Sequence, residues 1–365
     1  MSEIYAEIIS FDWERALLAY DLGRAGFVEA AIRETGKAVK SQEACGTGRL
    51  VLEGLPSGTL LHVTFRHPGG EKELSFTTLP APRGKMTGHF ALIADAHIST
   101  KSENRKGRFF VESASLARDA IDRCTRLGIA CTLWPGDITN AGLPDEYALA
   151  AEVFASLPEP PVLVPGNHDH GPELWKSTFG PRRGRYPLPG GGTLVAVDTS
   201  AQRLEKEDAE AIEEVLEKEG RVTVMTHYQF FPSSDISHVP PAATMPANIG
   251  EHADLLEEIR KTPSVVWAGH QNILSVTRAG KAVQINLPQI PQYPCGWLRM
   301  RRFADGDYYT FEPIASEVLR QWSRRAGDEA ASFYGEPQWR GAYRCGRFPQ
   351  SGNFFLKGSH DERHR

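Results

Sequence analysis

Five short apolar runs lie in the middle of the chain, and each breaks off at a residue able to bind a metal or move a proton. ALIA leads into Asp95 and His97, TLWPG into Asp137, VLVPG into Asn167 and His168, VTVMT into His227, and VVWAG into His270. Short apolar runs bounded by glycine and polar residues read as buried strands. Helical patterns separate them, near residues 108–127 and in DEYALAAEVFASL, KEDAEAIEEVLEKEG and GEHADLLEEIRK. Such alternation predicts an α/β domain with helices layered outside the sheet. Loops leaving the carboxyl ends of strands in these sheets gather around ligands, so the five run ends are expected to meet in one site.

The flanking regions have a different texture. In residues 1–85, RLVLEGL, TLLHVTF and ELSFTTL are separated by the turns Pro56-Ser57-Gly58 and Pro68-Gly69-Gly70, the punctuation of antiparallel strands. A small all-β sandwich is expected there, with LPAPRGK as linker. The layered domain then occupies 86–315, closing with LSVTRAGKAVQINL and WLRMRRFADGDYYTFEP as paired strands. Residues 316–365 form a C-terminal extension in which SEVLRQWSRRAG predicts a helix.

The 365 residues exceed the usual size of one core, which suits a large domain and a small one. A net charge of -5 argues against a general nucleic-acid binder, with nucleic acid kept as a substrate and a local basic groove left open. The clusters RRGR (182–185) and RMRR (299–302) are expected at the solvated surface. Five scattered cysteines without a C-x-x-C pair predict reduced, buried thiols. The N-terminus lacks a basic start and a long apolar stretch, and no run of about 18 apolar residues occurs, so the expected location is cytoplasmic with no membrane partner.

Carboxylates, imidazoles and an amide make a mixed donor set suited to two divalent or trivalent first-row ions, Mn and/or Fe, with Zn a further option. The series Asp95-Ala-His97, Gly136-Asp137, Gly166-Asn167-His168-Asp169, His227 and Gly269-His270 resembles the calcineurin-like metallophosphoesterase superfamily over roughly residues 88–315. ADAHIS, GDITNAG and VPGNHD are most similar to its class III cyclic-nucleotide phosphodiesterase branch. The resemblance implies a layered β-sandwich flanked by helices. It also implies that Asp95, His97 and Asp137 hold one metal, with Asp137 bridging to a second held by Asn167, His227 and His270. A metal-bridging hydroxide would attack phosphorus, and His168, oriented by Asp169, would protonate the leaving alkoxide.

The family continues Gly-His-x-His where this chain has Gly269-His270-Gln271-Asn272. Three accounts of Asn272 stand open: a direct or water-mediated ligand, replacement by His170 or His238, or loss of one metal. EGLPSGTLLHVTF followed by SFTTLPAP is similar to a fibronectin type III module, with Leu61 at the usual tyrosine position.

For any single histidine, a structural role is the ordinary reading, and His62, His67, His252, His360 and His364 are assigned one. Asp198 is expected to hold a loop. Tyr228 and Asn248 are candidates for substrate contact or loop packing, as Asn167 and His168 are for substrate contact beside their other roles. The loop FFPSSDISHVPPAATMPANIG is the candidate for substrate selection. The expected activity is hydrolysis of a small-molecule phosphate ester, a phosphodiester first and a monoester as the alternative. GDITNAG lacks the GDxxDRG of serine/threonine phosphatases. A degenerate binder of phosphorylated ligands or partners is the rival from another class, and a homo-oligomer through the N-terminal domain or C-terminal tail stays open.

Overall fold

The computed structural model describes residues 4–42, 46–232, 246–272, 274–327 and 352–358. The N-terminal strands form two antiparallel sheets. Tyr5–Phe11 (β1), Arg15–Asp21 (β2) and Thr47–Glu53 (β5) make the first in the order β1-β2-β5. Glu29–Ile32 (β3), Ala38–Lys40 (β4), Leu60–His67 (β6) and Gly70–Thr77 (β7) make the second in the order β4-β3-β6-β7. In β6 the side chains alternate, with Leu61, Val63 and Phe65 buried against Ile8, Leu18 and Leu52 of the facing sheet. The expected small sandwich is formed.

Two six-stranded sheets build the layered domain. The first contains Gly88–Leu92 (β8), Cys131–Pro135 (β9), Val162–Val164 (β10), Gly296–Phe303 (β17), Gly306–Pro313 (β18) and Phe354–Lys357 (β19), ordered β10-β9-β8-β17-β18-β19. The second contains Gly184–Pro187 (β11), Thr193–Ala196 (β12), Thr223–Thr226 (β13), Val265–Ala268 (β14), Ser275–Ala279 (β15) and Ala282–Asn286 (β16), ordered β11-β12-β13-β14-β16-β15. Strands β8, β9 and β10 run parallel, as do β12, β13, β14 and β16. Because both faces of these strands are buried, their sequences read as continuous apolar runs. Phe90 and Leu92 point into the core between the sheets, with Leu194, Met225, Trp267 and Met300, whereas Ala91 and Ile93 point outward.

Helices cover both outer faces. Ser113–Arg126 (α1), Pro144–Phe154 (α2) and Pro172–Phe179 (α3) pack on the first sheet through Leu116, Ile121, Tyr147, Val153 and Trp175. Lys206–Glu219 (α4) and Ala253–Lys261 (α5) pack on the second through Ile212, Val215, Leu255 and Ile259. Among the described residues, no helix is long and apolar enough to cross a membrane.

Two expectations need correction. Helix α1 begins at Ser113 rather than near 108, because the Asn104 Oδ1 accepts from the Phe110 and Val111 amides and holds that stretch as a turn. The RMRR cluster is not solvated: Arg301 and Arg302 are buried and pair with Asp12 and Asp307, since β17 is an inner strand held between β8 and β18. Within the segment beyond residue 316, β19 pairs with β18. The predicted helix there, Glu317–Arg325 (α6), carries a buried ion network in which Glu317 binds both Arg320 and the sandwich residue Arg49. Cys124 and Cys295 are buried free thiols and Cys131 is partly buried; Cys45 and Cys345 lie outside the described residues.

Candidate metal centre

The parallel strands deliver their terminal residues to one edge of the two sheets. Donor atoms of His97, Asp137 and His168 lie within 4.8 Å of one another, and so do those of Asp137, His227 and His270. Asp137 is common to both groups. Its Oδ2 is 3.6 Å from His97 Nε2 and its Oδ1 is 3.4 Å from His227 Nε2. The Asn167 Oδ1 stands 3.0 Å from both His227 Nε2 and His270 Nδ1. Donors sharing one first-row ion at about 2.0–2.2 Å are themselves roughly 3 Å apart, so this clustering has the right scale.

The backbone is shaped for this convergence. Among the described residues, Asp95, His97, Asp137, His270 and Asn272 are non-glycine residues with positive φ, between 43° and 62°. A side chain in that region costs free energy and persists only where the surroundings impose it. Five such residues in one place turn the chain sharply just after β8, β9 and β14, so that the side chains point back over the strand ends. Two glycines give the clearance: a Cβ on Gly136 would lie 2.3 Å from His227 Nδ1, and one on Gly269 would lie 2.4 Å from the Pro135 carbonyl.

A test of fit comes from buried polar atoms. Asp95 Oδ2, both ring nitrogens of His97 and Asn272 Oδ1 have no hydrogen-bond partner among the described residues. Leaving such atoms unpaired costs about 1–3 kcal/mol each, which a cation would offset. Burial, and then the neighbouring Asp137, push the Asp95 carboxyl well above the ordinary carboxylate range. Burial also lowers His97, where Arg108 and the other histidines add to the effect, and lowers His227. Neutral imidazoles and crowded carboxylates are the state that a divalent cation binds. The donor set therefore fits divalent metal ions.

Outer contacts fix the ligand orientations. His227 Nδ1 is 3.0 Å from the Pro135 carbonyl, which leaves Nε2 facing Asp137 and Asn167. The Asp95 Oδ1 accepts from the His270 amide at 3.1 Å. The Tyr228 ring is buried and packs with its centroid 4.0 Å from that of His270.

His168 and Asp169 differ from expectation. His168 Nδ1 lies 2.6 Å from the Asn140 carbonyl. The Asp169 carboxylate is used elsewhere, accepting from the amides of Ile138, Thr139 and Gly166 and from the Thr139 hydroxyl. It fastens the loop after Asp137 and does not orient His168. Burial and Asp137 push its carboxyl up to about 7 against those four donors. Sequence reasoning missed Asn140, and no signal could have found it, because a backbone carbonyl performs the role.

His170 is exposed, and His238 lies outside the described residues, as does 233–245 of the Pro-rich loop. Asn248 caps a turn through the Gly250 amide, and Asp198 binds Arg182 and the Ser200 amide, as expected of a loop anchor.

No protein-family model matches the chain. Its fold is similar to that of a solved dimetal phosphatase from Danio rerio, which superposes with a TM-score of 0.51 at 14% identity, covering 64% of this chain and 98% of that one. A purple acid phosphatase, PPD1 from yellow lupin, aligns at a TM-score of 0.43 and 14% identity over 86% of this chain and 72% of that one. In sequence, 81 residues are 35% identical to the glycerophosphodiester phosphodiesterase GpdQ of Enterobacter lignolyticus. That match spans 22% of this chain and 28% of the relative, little more than a quarter of its length.

Proposed function

We propose that this protein is a metal-dependent phosphoesterase that hydrolyses a phosphodiester. The observation that carries the reading is the gathering of buried, partly unpaired donors around a shared Asp137. One cation would be held by Asp95, His97, Asp137 and Asn272, and the other by Asp137, Asn167, His227 and His270. Bound there, two cations neutralise phosphoryl oxygens and make an attacking water more acidic.

The remaining chemistry belongs to the chain. His168 stands edge-on to His97 with ring centroids 4.8 Å apart, beside the donors but tethered by Nδ1 to the Asn140 carbonyl. Nε2 is then the atom that gives a proton to the departing alkoxide. Asp169 keeps the 137–139 loop, and with it Asp137, in register. Asn167 joins the donors from the residue before His168, so acid and metal site move as one unit.

The preference for a diester over a monoester is supported by the short similarity to a phosphodiesterase and by the sequence texture of the motif loops. The native ions are proposed as Mn and/or Fe. The three- and four-stranded N-terminal sandwich supports the fibronectin type III-like reading, with a packing role: its core includes Phe303 and Tyr308 of the first sheet. We place the domain limits at 1–85, 86–315 and 316–365, and the protein in the cytoplasm.

The test is elemental analysis after reconstitution with Mn and removal of free ion, with turnover of bis(p-nitrophenyl) phosphate compared with p-nitrophenyl phosphate. Two ions per chain and faster diester cleavage are expected. Faster monoester cleavage would reverse the substrate preference, and one ion or none without turnover would favour a non-catalytic phospho-ligand binder.

A further inference from the structure

A cavity lies at the opposite ends of the same strands. It encloses about 290 Å³ and is lined by residues at the starts of β12, β13, β14 and β16, including Thr193, Thr223, Val265 and Val283. The metal donors follow the far ends of β13 and β14. Four residues at about 3.3 Å each set the two sites at least ~13 Å apart along the strands.

The lining is strongly basic in a chain whose net charge is -5. Arg278, Lys281 and Lys357 enter from β15, from the turn after it and from β19, and none has a carboxylate within salt-bridge distance among the described residues. The two acids in the wall are engaged. Asp307 binds Arg302 through both oxygens at 2.8 and 3.0 Å, and Glu219 accepts from the Thr193 amide and hydroxyl. Arg278, Lys281 and Lys357 thus converge from two different sheets on a concave space whose lining, with Arg221 and Arg302 set against Glu219 and Asp307, keeps an excess of positive charge, the arrangement that concentrates an anion. Phe355, Leu356 and Pro263 give the cavity an apolar side, and its volume approaches that of a small-ligand pocket.

We infer that this cavity is a second ligand site, distinct from the metal centre, that takes a small polyanion of the diphosphate class through Arg278, Lys281 and Lys357. Two or more phosphoryl groups match three spaced cations, and the apolar wall accepts a carbon moiety attached to them.

The experiment is calorimetric titration of the metal-loaded protein with methylenediphosphonate, which a phosphoesterase cannot cleave. The wild type is expected to bind, and the Arg278→Gln/Lys281→Gln and Lys357→Gln variants to weaken binding at least about tenfold, with diester turnover in the absence of the anion unchanged. An Arg126→Gln/Lys176→Gln variant removes two exposed cations from α1 and α3 and is expected to bind as the wild type does. The inference is overturned by three outcomes: no binding by the wild type, an equal loss in the helix-surface variant, or binding that survives the cavity substitutions and disappears in Asp95→Asn. The last would locate the anion at the metal centre. Because binding is read without turnover, failure here is separable from failure of the proposed activity.

Discussion

The Asn272 side chain donates from Nδ2 to the His270 carbonyl at 2.9 Å, which turns its Oδ1 inward as a buried oxygen with no partner among the described residues. An amide held this way presents a ligand atom, and amide oxygen suits a hard ion such as Mn better than a softer one. Asn272→Ala is therefore expected to lower the affinity of one of two Mn ions at least about tenfold, while Asn272→His restores it. Metal titration followed by elemental analysis reads both. An alanine variant that keeps two ions at wild-type affinity would remove Asn272 from the ligand set.

Substitution of His168 separates proton transfer from metal binding. His168→Ala is expected to reduce kcat for diesters with poor leaving groups by roughly 10²–10⁴-fold. Metal content should stay at the wild-type level, because Asp137 and Asn167 remain in place. A p-nitrophenolate leaving group needs little protonation, so the loss should be much smaller for bis(p-nitrophenyl) phosphate. Equal losses on both substrates would argue that His168 positions substrate and does not act as an acid.

The role of Asp169 as a loop anchor has a consequence that an orienting role would not. Asp169→Asn places an amide group where four donors converge, leaving at least one of them opposed. A loss of about 2 kcal/mol is expected, visible as a fall in Tm. The pH dependence of turnover in the surviving folded fraction should not shift, since His168 is tethered by Asn140. A shifted profile with unchanged Tm would reinstate the Asp169 contact.

The donors were legible in the sequence because each ends an apolar run, and burial on both strand faces writes that run plainly. Asn272 was legible as a departure, but not the direction its amide turns. The assignments of Asp169 and RMRR failed for one reason. Sequence neighbours share a loop or a strand without sharing a partner, and tertiary contacts put Asp169 on the 137–139 loop and Arg301 on Asp12 of another domain. The five positive-φ donors were invisible for a similar reason: Asp, His and Asn enter that region more readily than other side chains, but which of them do so is decided by the converging loops.

Gly136 tests that imposed geometry. It has φ +91°, and a Cβ there would meet the His227 ring at 2.3 Å for Nδ1 and 2.7 Å for Cγ. The ring cannot retreat without breaking its contact with the Pro135 carbonyl. Gly136→Ala is expected to destabilise the metal-free protein by at least ~2 kcal/mol, from backbone strain and overpacking together, and to impair the His227 metal site. Thermal melts with and without Mn measure both effects. Wild-type Tm and metal content would show that the strand end has slack the structure does not display.

His89 gives a pH dependence that can be assigned to one side chain. Its Nε2 accepts from Arg299 Nε at 2.9 Å, and burial, followed by the charges of Arg299 and Arg301, lowers its pKa to about 4. In the unfolded chain it titrates near 6.5. Between these values the unfolded state binds the extra proton and the folded state does not, so stability rises with pH across about 4 to 6.5 and is lost as pH falls through that window. His89→Gln keeps an acceptor for Arg299 but cannot titrate. The variant should therefore lose less stability than wild type on going from pH 6.5 to 4, by about 1–2 kcal/mol after allowance for the partial exposure of the ring. Urea denaturation of the metal-free proteins at the two pH values gives the difference directly. Identical losses in wild type and variant would mean that Arg299 turns away and lets His89 charge in the folded state.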